Sequence, residues 1–108
     1  MFKIYKVRGV SMTPLYVPGD YILCKGIKDI NEMKIGDIVI AMSKNYGKIL
    51  KKVDYIDLDK NICRLKGLNP ESLSTEEMGN IPLDRPFYKV LFRLKKGPRL
   101  KPQSKIRI

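Results

Sequence analysis

Apolar and polar residues alternate along most of this 108-residue chain. A period of two is typical of β-strands that bury one face. Turn-forming residues separate the alternating runs, and one of these turns, Asn45-Tyr46-Gly47, predicts a hairpin. The pattern predicts strands over residues 2–10, 20–24, 37–42, 48–56, 62–66 and 87–94. We therefore expect an all-β fold built as a twisted antiparallel sheet or partial barrel.

Helical signals are short. One candidate turn covers residues 72–78, and another begins at Ser11 with Pro14 in its first turn. We expect at most short helical turns.

The absence of histidine narrows the possible chemistry. It excludes a Ser-His-Asp triad, a Cys-His pair and imidazole metal ligands. The two cysteines, Cys24 and Cys63, are too few and too isolated for a zinc site or a disulfide framework. Both lie in alternating apolar runs, which favours buried free thiols. We expect no metal and no cofactor.

No apolar run is long enough to span a bilayer, and the N-terminus lacks the apolar region of a signal peptide. The expected location is therefore cytoplasmic, or peripheral at a membrane. The net charge of +11 is concentrated near the end of the chain. Residues 93–108 carry seven basic residues and no acidic one: Arg93, Lys95, Lys96, Arg99, Lys101, Lys105 and Arg107.

This charge pattern divides the chain into a predicted domain, residues 1–94, and a basic C-terminal arm, residues 95–108. A solvated terminus is the simpler interpretation of the arm. The alternative is a weak electrostatic contact with an anionic membrane surface or with nucleic acid. We expect no specific nucleic-acid partner.

Ser11 is the candidate nucleophile. It lies in the segment Gly9-Val10-Ser11-Met12-Thr13-Pro14, with Pro18-Gly19-Asp20 close behind. Without histidine, a lysine or a carboxylate must accept the proton of a catalytic serine, and a Ser-Lys pair is one solution. A free lysine has a pKa of about 10.4, so a lysine base must be buried in apolar surroundings that lower its pKa.

Strand alternation separates the two adjacent lysines, Lys51 and Lys52. On a strand over residues 48–56, Lys51 shares its face with Ile49, Val53 and Tyr55. Lys52 shares the other face with Asp54 and is better placed to stay charged. The alternation therefore favours Lys51 as the base.

These segments resemble the ordered motifs of the signal peptidase I superfamily of Ser/Lys proteases. The serine segment comes first, followed by Gly36-Asp37-Ile38-Val39, Leu50-Lys51-Lys52-Val53 and Gly67-Leu68-Asn69-Pro70. The match covers residues 6–94. The short chain, without a membrane anchor or an inserted second β-domain, resembles the smallest members. These include the proposed maturation proteases of nickel superoxide dismutase.

The resemblance implies roles for particular residues. Ser11 would be the nucleophile and its N–H part of the oxyanion hole, while Lys51 would be the general base. Gly9 stands where bacterial signal peptidases often have a second, hydroxyl-bearing oxyanion donor. Ser74 would orient the lysine, with Glu76 in the place of an aspartate. We also expect Met12 and Pro14 to contact the substrate, and Asp20 and Asp37 to form turns.

The resulting hypothesis is a serine endopeptidase that removes a short N-terminal pro- or signal segment from a partner protein. The substrate would bind as an extended strand along an exposed sheet edge near Ser11. One alternative is a self-cleaving regulatory domain like the SOS repressors. Those proteins cut an Ala-Gly or Cys-Gly bond upstream of the serine, and no such bond is found here. Another alternative is an inactive basic binding module.

Overall fold

Strands dominate the computed structural model, which describes residues 1–69 and 79–94 and the backbone of residues 104–106. The strands are β1 (Phe2–Val7), β2 (Tyr21–Gly26), β3 (Ile38–Ser43), β4 (Gly47–Asp57), β5 (Ile62–Lys66), β6 (Ile81–Pro82), β7 (Phe87–Leu94) and β8 (Ser104–Ile106). They form one open sheet in the order β6-β5-β4-β3-β7-β2-β1-β8. The predicted mainly β fold is confirmed.

The strand boundaries differ from the prediction mainly at β1. This strand ends at Val7 rather than Val10, because Gly9 has a φ of +87° and turns the chain out of the sheet. The predicted hairpin is confirmed: Ser43 pairs with Gly47, which has a φ of +72°. Glycine tolerates this left-handed conformation better than other residues.

Helical structure is limited to a 3-10 turn over Ile30–Glu32 in the described residues. The side chain of Asp29 accepts a hydrogen bond from the Asn31 N–H and caps this turn. Residues 11–15 form turns rather than the start of a helix. The candidate helical turn over residues 72–78 lies outside the described residues.

Two apolar clusters lie on opposite faces of the sheet, and β4 contributes to both. Ile49 and Val53 belong to cluster 1, whereas Leu50 belongs to cluster 2. Cluster 1 consists of Met33, Val39, Ala41, Ile49, Val53, Cys63, Leu65, Ile81, Leu83 and Phe87. Cluster 2 consists of Tyr5, Val7, Met12, Ile22, Cys24, Ile40 and Leu50. Both cysteines are free and buried, as predicted.

A bulge interrupts the alternation of β4 at Asp54. Val53 pairs with Leu65, but Tyr55 pairs with the next residue of β5, Arg64. The extra residue moves Tyr55 off the face of Lys51 and leaves it 40% exposed. The expectation that Tyr55 shares the buried face of Lys51 is therefore wrong.

The last strand, β8, was not predicted. Its backbone runs parallel to β1, with Lys105 opposite Lys6, and all the other strand pairs are antiparallel. The backbone of β8 also lies close to β4, so the sheet curls towards itself at this end. Among the described residues, no helix is long and apolar enough to cross a membrane.

Candidate active site

The serine turn connects β1 to β2. The N–H of Thr13 donates to the Val10 carbonyl at 3.0 Å, and the N–H of Tyr16 donates to the Met12 carbonyl at 2.9 Å. The side chain of Met12 is 2% exposed and packs in cluster 2. This buried methionine anchors the turn to the core of the sheet.

Residues far along the sequence hold the turn from its other side. The N–H groups of Leu68 and Asn69 both donate to the Ser11 carbonyl, at 2.8 and 2.9 Å. The side-chain amide of Asn69 donates to the Thr13 hydroxyl at 2.7 Å. Leu68 also packs against cluster 2. The motif Gly67-Leu68-Asn69 therefore fixes the backbone of the serine turn.

Ser11 is buried, with 3% of its surface exposed. Its hydroxyl donates a long hydrogen bond of 3.4 Å to the Leu50 carbonyl. Leu50 directly precedes Lys51 on β4. The structure thus brings Ser11 to the segment of β4 that carries the predicted base.

Lys51 is fully buried, with 0% exposure. It faces Val39 across the β3–β4 pair and lies between Ile49 and Val53 on its own strand. Within the described residues, its Nζ atom has no hydrogen-bond partner. Burial lowers the pKa of Lys51, because the charged form loses its hydration. A neutral amine has a free lone pair and can accept a proton.

Lys52 differs from Lys51 in its surroundings. It is only partly buried and lies opposite Ile38 on β3 and Lys66 on β5. Asp54, nearby on the same strand, forms an ion pair with Lys66 at 3.4 Å. This polar environment is suited to a charged side chain. The prediction that Lys51 lies on the buried face of β4 and Lys52 on the other face is confirmed.

Ser11 and Lys51 are not hydrogen-bonded to each other in this structure. The serine hydroxyl is instead directed at the carbonyl of the residue beside the lysine. A proton transfer from Ser11 to Lys51 would therefore require the hydroxyl or the amine to reorient. Hydrogen bonds between catalytic groups are often long in free enzymes and tighten when substrate binds.

The backbone near Ser11 offers a donor for an oxyanion. The N–H of Ser11 donates to no acceptor within the described part of the chain. Gly9 contributes no side chain, and its φ of +87° gives the physical reason, since a residue with a Cβ atom is strained there. A second donor from the side chain at position 9 is therefore absent from this site.

The other predicted residues fall into three groups. Ser74 and Glu76 lie outside the described residues. The side chain of Met12 is buried in cluster 2, and its contact with a substrate stays a prediction. Pro14 is exposed beside the serine and stays a candidate for substrate binding.

Asp20 and Asp37 form turns, as predicted. The Asp20 carboxylate accepts from the Val17 N–H, and the Asp37 carboxylate accepts from the Lys34 N–H, each at 2.9 Å. The turn at Asp37 also supports the site. The N–H of Val53 donates to the Asp37 carbonyl at 2.8 Å, which fixes β4 beside Lys51.

Two features of the site were missed by sequence analysis. The Leu50 carbonyl gives no sequence signal, because every residue has one. The Gly67-Leu68-Asn69 motif was recognised, but its contact with the Ser11 backbone was not predicted. The only sequence signal for this contact was that Gly67-Leu68-Asn69 belongs to the same ordered set of motifs as the serine segment.

Elsewhere in the described ranges, no cluster of titratable or metal-binding side chains forms a second candidate active site. Burial raises the pKa of Cys24 to about 12 and that of Cys63 to about 11. Such thiols are poor nucleophiles at neutral pH. No group of three or more His, Cys, Asp or Glu residues is placed to hold a metal ion in residues 1–69 and 79–94.

Comparison with known proteins identifies the family of this chain. A family model described as Peptidase S24-like matches residues 2–85, a range that includes both Ser11 and Lys51. The chain belongs to the Peptidase S24-like family. Membership of the wider superfamily that also contains signal peptidase I is thereby confirmed. No curated protein and no solved structure matched the chain.

Proposed function

We propose that this S24-like protein is a serine endopeptidase that uses Ser11 and Lys51 to remove a short N-terminal segment from a partner protein. One observation carries the proposal. Lys51 is fully buried, its Nζ atom has no hydrogen-bond partner in the described residues, and it is adjacent in sequence to Leu50, whose carbonyl accepts a hydrogen bond from the Ser11 hydroxyl. A buried amine without a partner destabilises a fold, so a catalytic role gives a reason for it.

The chemistry follows from these groups. The neutral amine of Lys51 accepts the hydroxyl proton of Ser11 while Oγ attacks the scissile carbonyl. The Ser11 N–H donates to the oxyanion that develops. The protonated lysine then gives its proton to the leaving amine, and an acyl-enzyme remains. Lys51, neutral again, accepts a proton from a water molecule that attacks the ester. It then returns this proton to Oγ of Ser11 as the ester bond breaks and the acid product leaves.

Several features support cleavage of another protein rather than self-cleavage. The chain has no Ala-Gly bond and no Cys-Gly bond. Its single alanine, Ala41, is completely buried on β3. Both cysteines are also completely buried. The serine turn also presents exposed apolar side chains to solvent, including Val10 and Leu15. These side chains suit an extended peptide that binds across the turn.

Co-expression with candidate precursor proteins, followed by N-terminal sequencing of the products, tests the proposal. Ser11→Ala and Lys51→Met should abolish processing, because they remove the nucleophile and the base. Lys52→Met is the matched control, since it makes the same change one residue away, and it should retain processing. Processing by purified Ser11→Ala protein would exclude Ser11 from the mechanism. Loss with Lys52→Met but not with Lys51→Met would assign the base to Lys52.

A further inference from the structure

One edge of β1 leads directly to the serine turn. The N–H of Val7 donates to the Asp20 carbonyl at 2.8 Å, and the Val7 carbonyl accepts from the Gly19 N–H at 2.9 Å. The polar backbone groups of Val7 therefore point towards the β2 side. Because these groups alternate along a strand, those of Ile4 and Lys6 point towards the opposite edge. We refer to the edge formed by Ile4 and Lys6 as the outer edge of β1.

The chain's own C-terminal segment lies on this outer edge. Lys105 is opposite Lys6, with Ser104 and Ile106 on either side of it, and the two strands are parallel. The backbone of the same segment lies close to β4, the strand of Lys51. A single short strand is thus near both parts of the chain that supply the catalytic residues.

We propose that Ser104–Ile106 occupies the edge to which the substrate strand adds, so that the tail and the substrate compete for β1. The inference rests on the proposed function, in which the substrate is an extended peptide that pairs near Ser11. A free edge is required for such pairing. In this structure the outer edge of β1, the strand that leads to Ser11, already has an occupant. The tail therefore acts as an internal competitor for extended peptides.

The pairing is of a kind that a peptide can displace. It spans three residue pairs, whereas β1 and β2 are paired at five positions. Parallel pairing is also slightly less stable per residue than antiparallel pairing. In addition, β8 is the outermost strand of the sheet, so it pairs with β1 on one edge only. Release of β8 would expose the outer edge of β1 and leave its pairing with β2 in place.

A proline at position 106 tests the competition. In a parallel pair, Lys6 bonds to the two residues that flank its partner, so the Ile106 N–H is the expected donor to the Lys6 carbonyl. Ile106→Pro removes this donor. Ile106→Val is the matched control, because it keeps the N–H and a β-branched side chain. Hydrogen exchange at the Lys6 amide reports whether the tail is paired, independently of catalysis.

In Ile106→Pro we expect faster hydrogen exchange at the Lys6 amide, a lower KM and an unchanged kcat. In Ile106→Val we expect the exchange rate, the KM and the kcat of the wild type. An edge that is nine-tenths occupied raises the apparent KM about tenfold, which sets the expected change. Faster exchange at Lys6 without a change in KM would overturn the inference and leave the proposed function intact. A wild-type protein that cleaves no precursor would refute the proposed function, and the inference with it.

A synthetic peptide covers the case in which Ile106→Pro does not fold. The peptide carries residues 99–108 and is added to the wild-type protein during processing of a precursor. Competitive inhibition supports the inference, because the peptide and the precursor then bind to one edge. Inhibition that is absent at peptide concentrations far above the KM for the precursor overturns it. A peptide with proline in place of Ile106 is the control and should inhibit weakly.

Discussion

Replacing Lys51 with methionine should make the protein more stable while it removes activity. Lys51 is fully buried, and its Nζ atom has no hydrogen-bond partner in the described residues. Methionine has a similar length and no polar atom, so it can fill the same space between Ile49 and Val53. The substitution therefore removes an unsatisfied polar group without creating a large cavity.

The size of the effect follows from that unsatisfied group. A buried polar atom without a partner costs about 1–3 kcal/mol. For a domain near this size, each kcal/mol raises Tm by roughly 4–8 °C. We therefore expect Lys51→Met to unfold at a clearly higher temperature than the wild type at neutral pH. Lys52→Met should differ little, because Lys52 is only partly buried and its amine can remain hydrated.

The gain should also depend on pH. Burial lowers the pKa of Lys51 in the folded state below the value near 10.4 of an unfolded chain. Between these two values the unfolded chain binds one more proton, so the wild-type free energy of unfolding rises with pH. Lys51→Met lacks this contribution. The difference in stability between variant and wild type should therefore shrink as the pH rises towards 10.4.

Thermal unfolding of the three proteins, followed by circular dichroism from pH 6 to pH 10, measures both effects. The Lys52→Met control accounts for the loss of one positive charge. A lower Tm for Lys51→Met than for the wild type would refute the reasoning, because it would mean that the amine makes a stabilising contact. A stability difference that does not change with pH would show that the lysine is not held neutral.

Further predictions concern catalysis and local structure. Activity should rise with pH through the lowered pKa of Lys51 and level off below 10.4, and a flat pH–rate profile from 6 to 10 would contradict a lysine base. Gly9→Ser should lower the free energy of unfolding by about 1–2 kcal/mol, measured by urea denaturation, because φ is +87° there. Cys24 and Cys63 should resist iodoacetamide at pH 8 until the protein unfolds, since burial raises both pKa values. If Ser74 orients the lysine, Ser74→Ala should reduce kcat by up to about 100-fold without changing Tm.

The alternation of apolar and polar residues predicted β1, β2, β3, β4, β5 and β7, but not the short strands β6 and β8. The same pattern placed Lys51 on an apolar face, and the structure agrees. Alternation could not reveal the bulge at Asp54, since the sequence continues to alternate through it. The exposure of Tyr55 therefore could not be predicted from the sequence. It follows from the change of register between β4 and β5.

The burial of Ser11 was not predictable from its own segment. Its surroundings depend on Leu68 and Asn69, which reach the turn only when the sheet has formed. Strand β8 was missed for a different reason. Pro98 and Pro102 disfavour a strand in the tail, because proline has no backbone N–H to pair. Ile106 and Ile108 nevertheless alternate with basic residues in the same way as the residues of the other strands. The pattern was present, but it was too short to outweigh the prolines.

The strand order has a consequence for synthesis of the protein. Ser11 follows β1, and Lys51 lies on β4. In the sheet, β7 lies between β2 and β1 on one side and β3 and β4 on the other. Since β7 pairs with both β2 and β3, the sheet is incomplete until residues 87–94 have left the ribosome. A nascent chain that already contains the serine and the lysine therefore lacks the strand that aligns them. The proposed proteolytic activity should therefore appear only after residues 87–94 have emerged, and shorter nascent chains should not cleave other proteins.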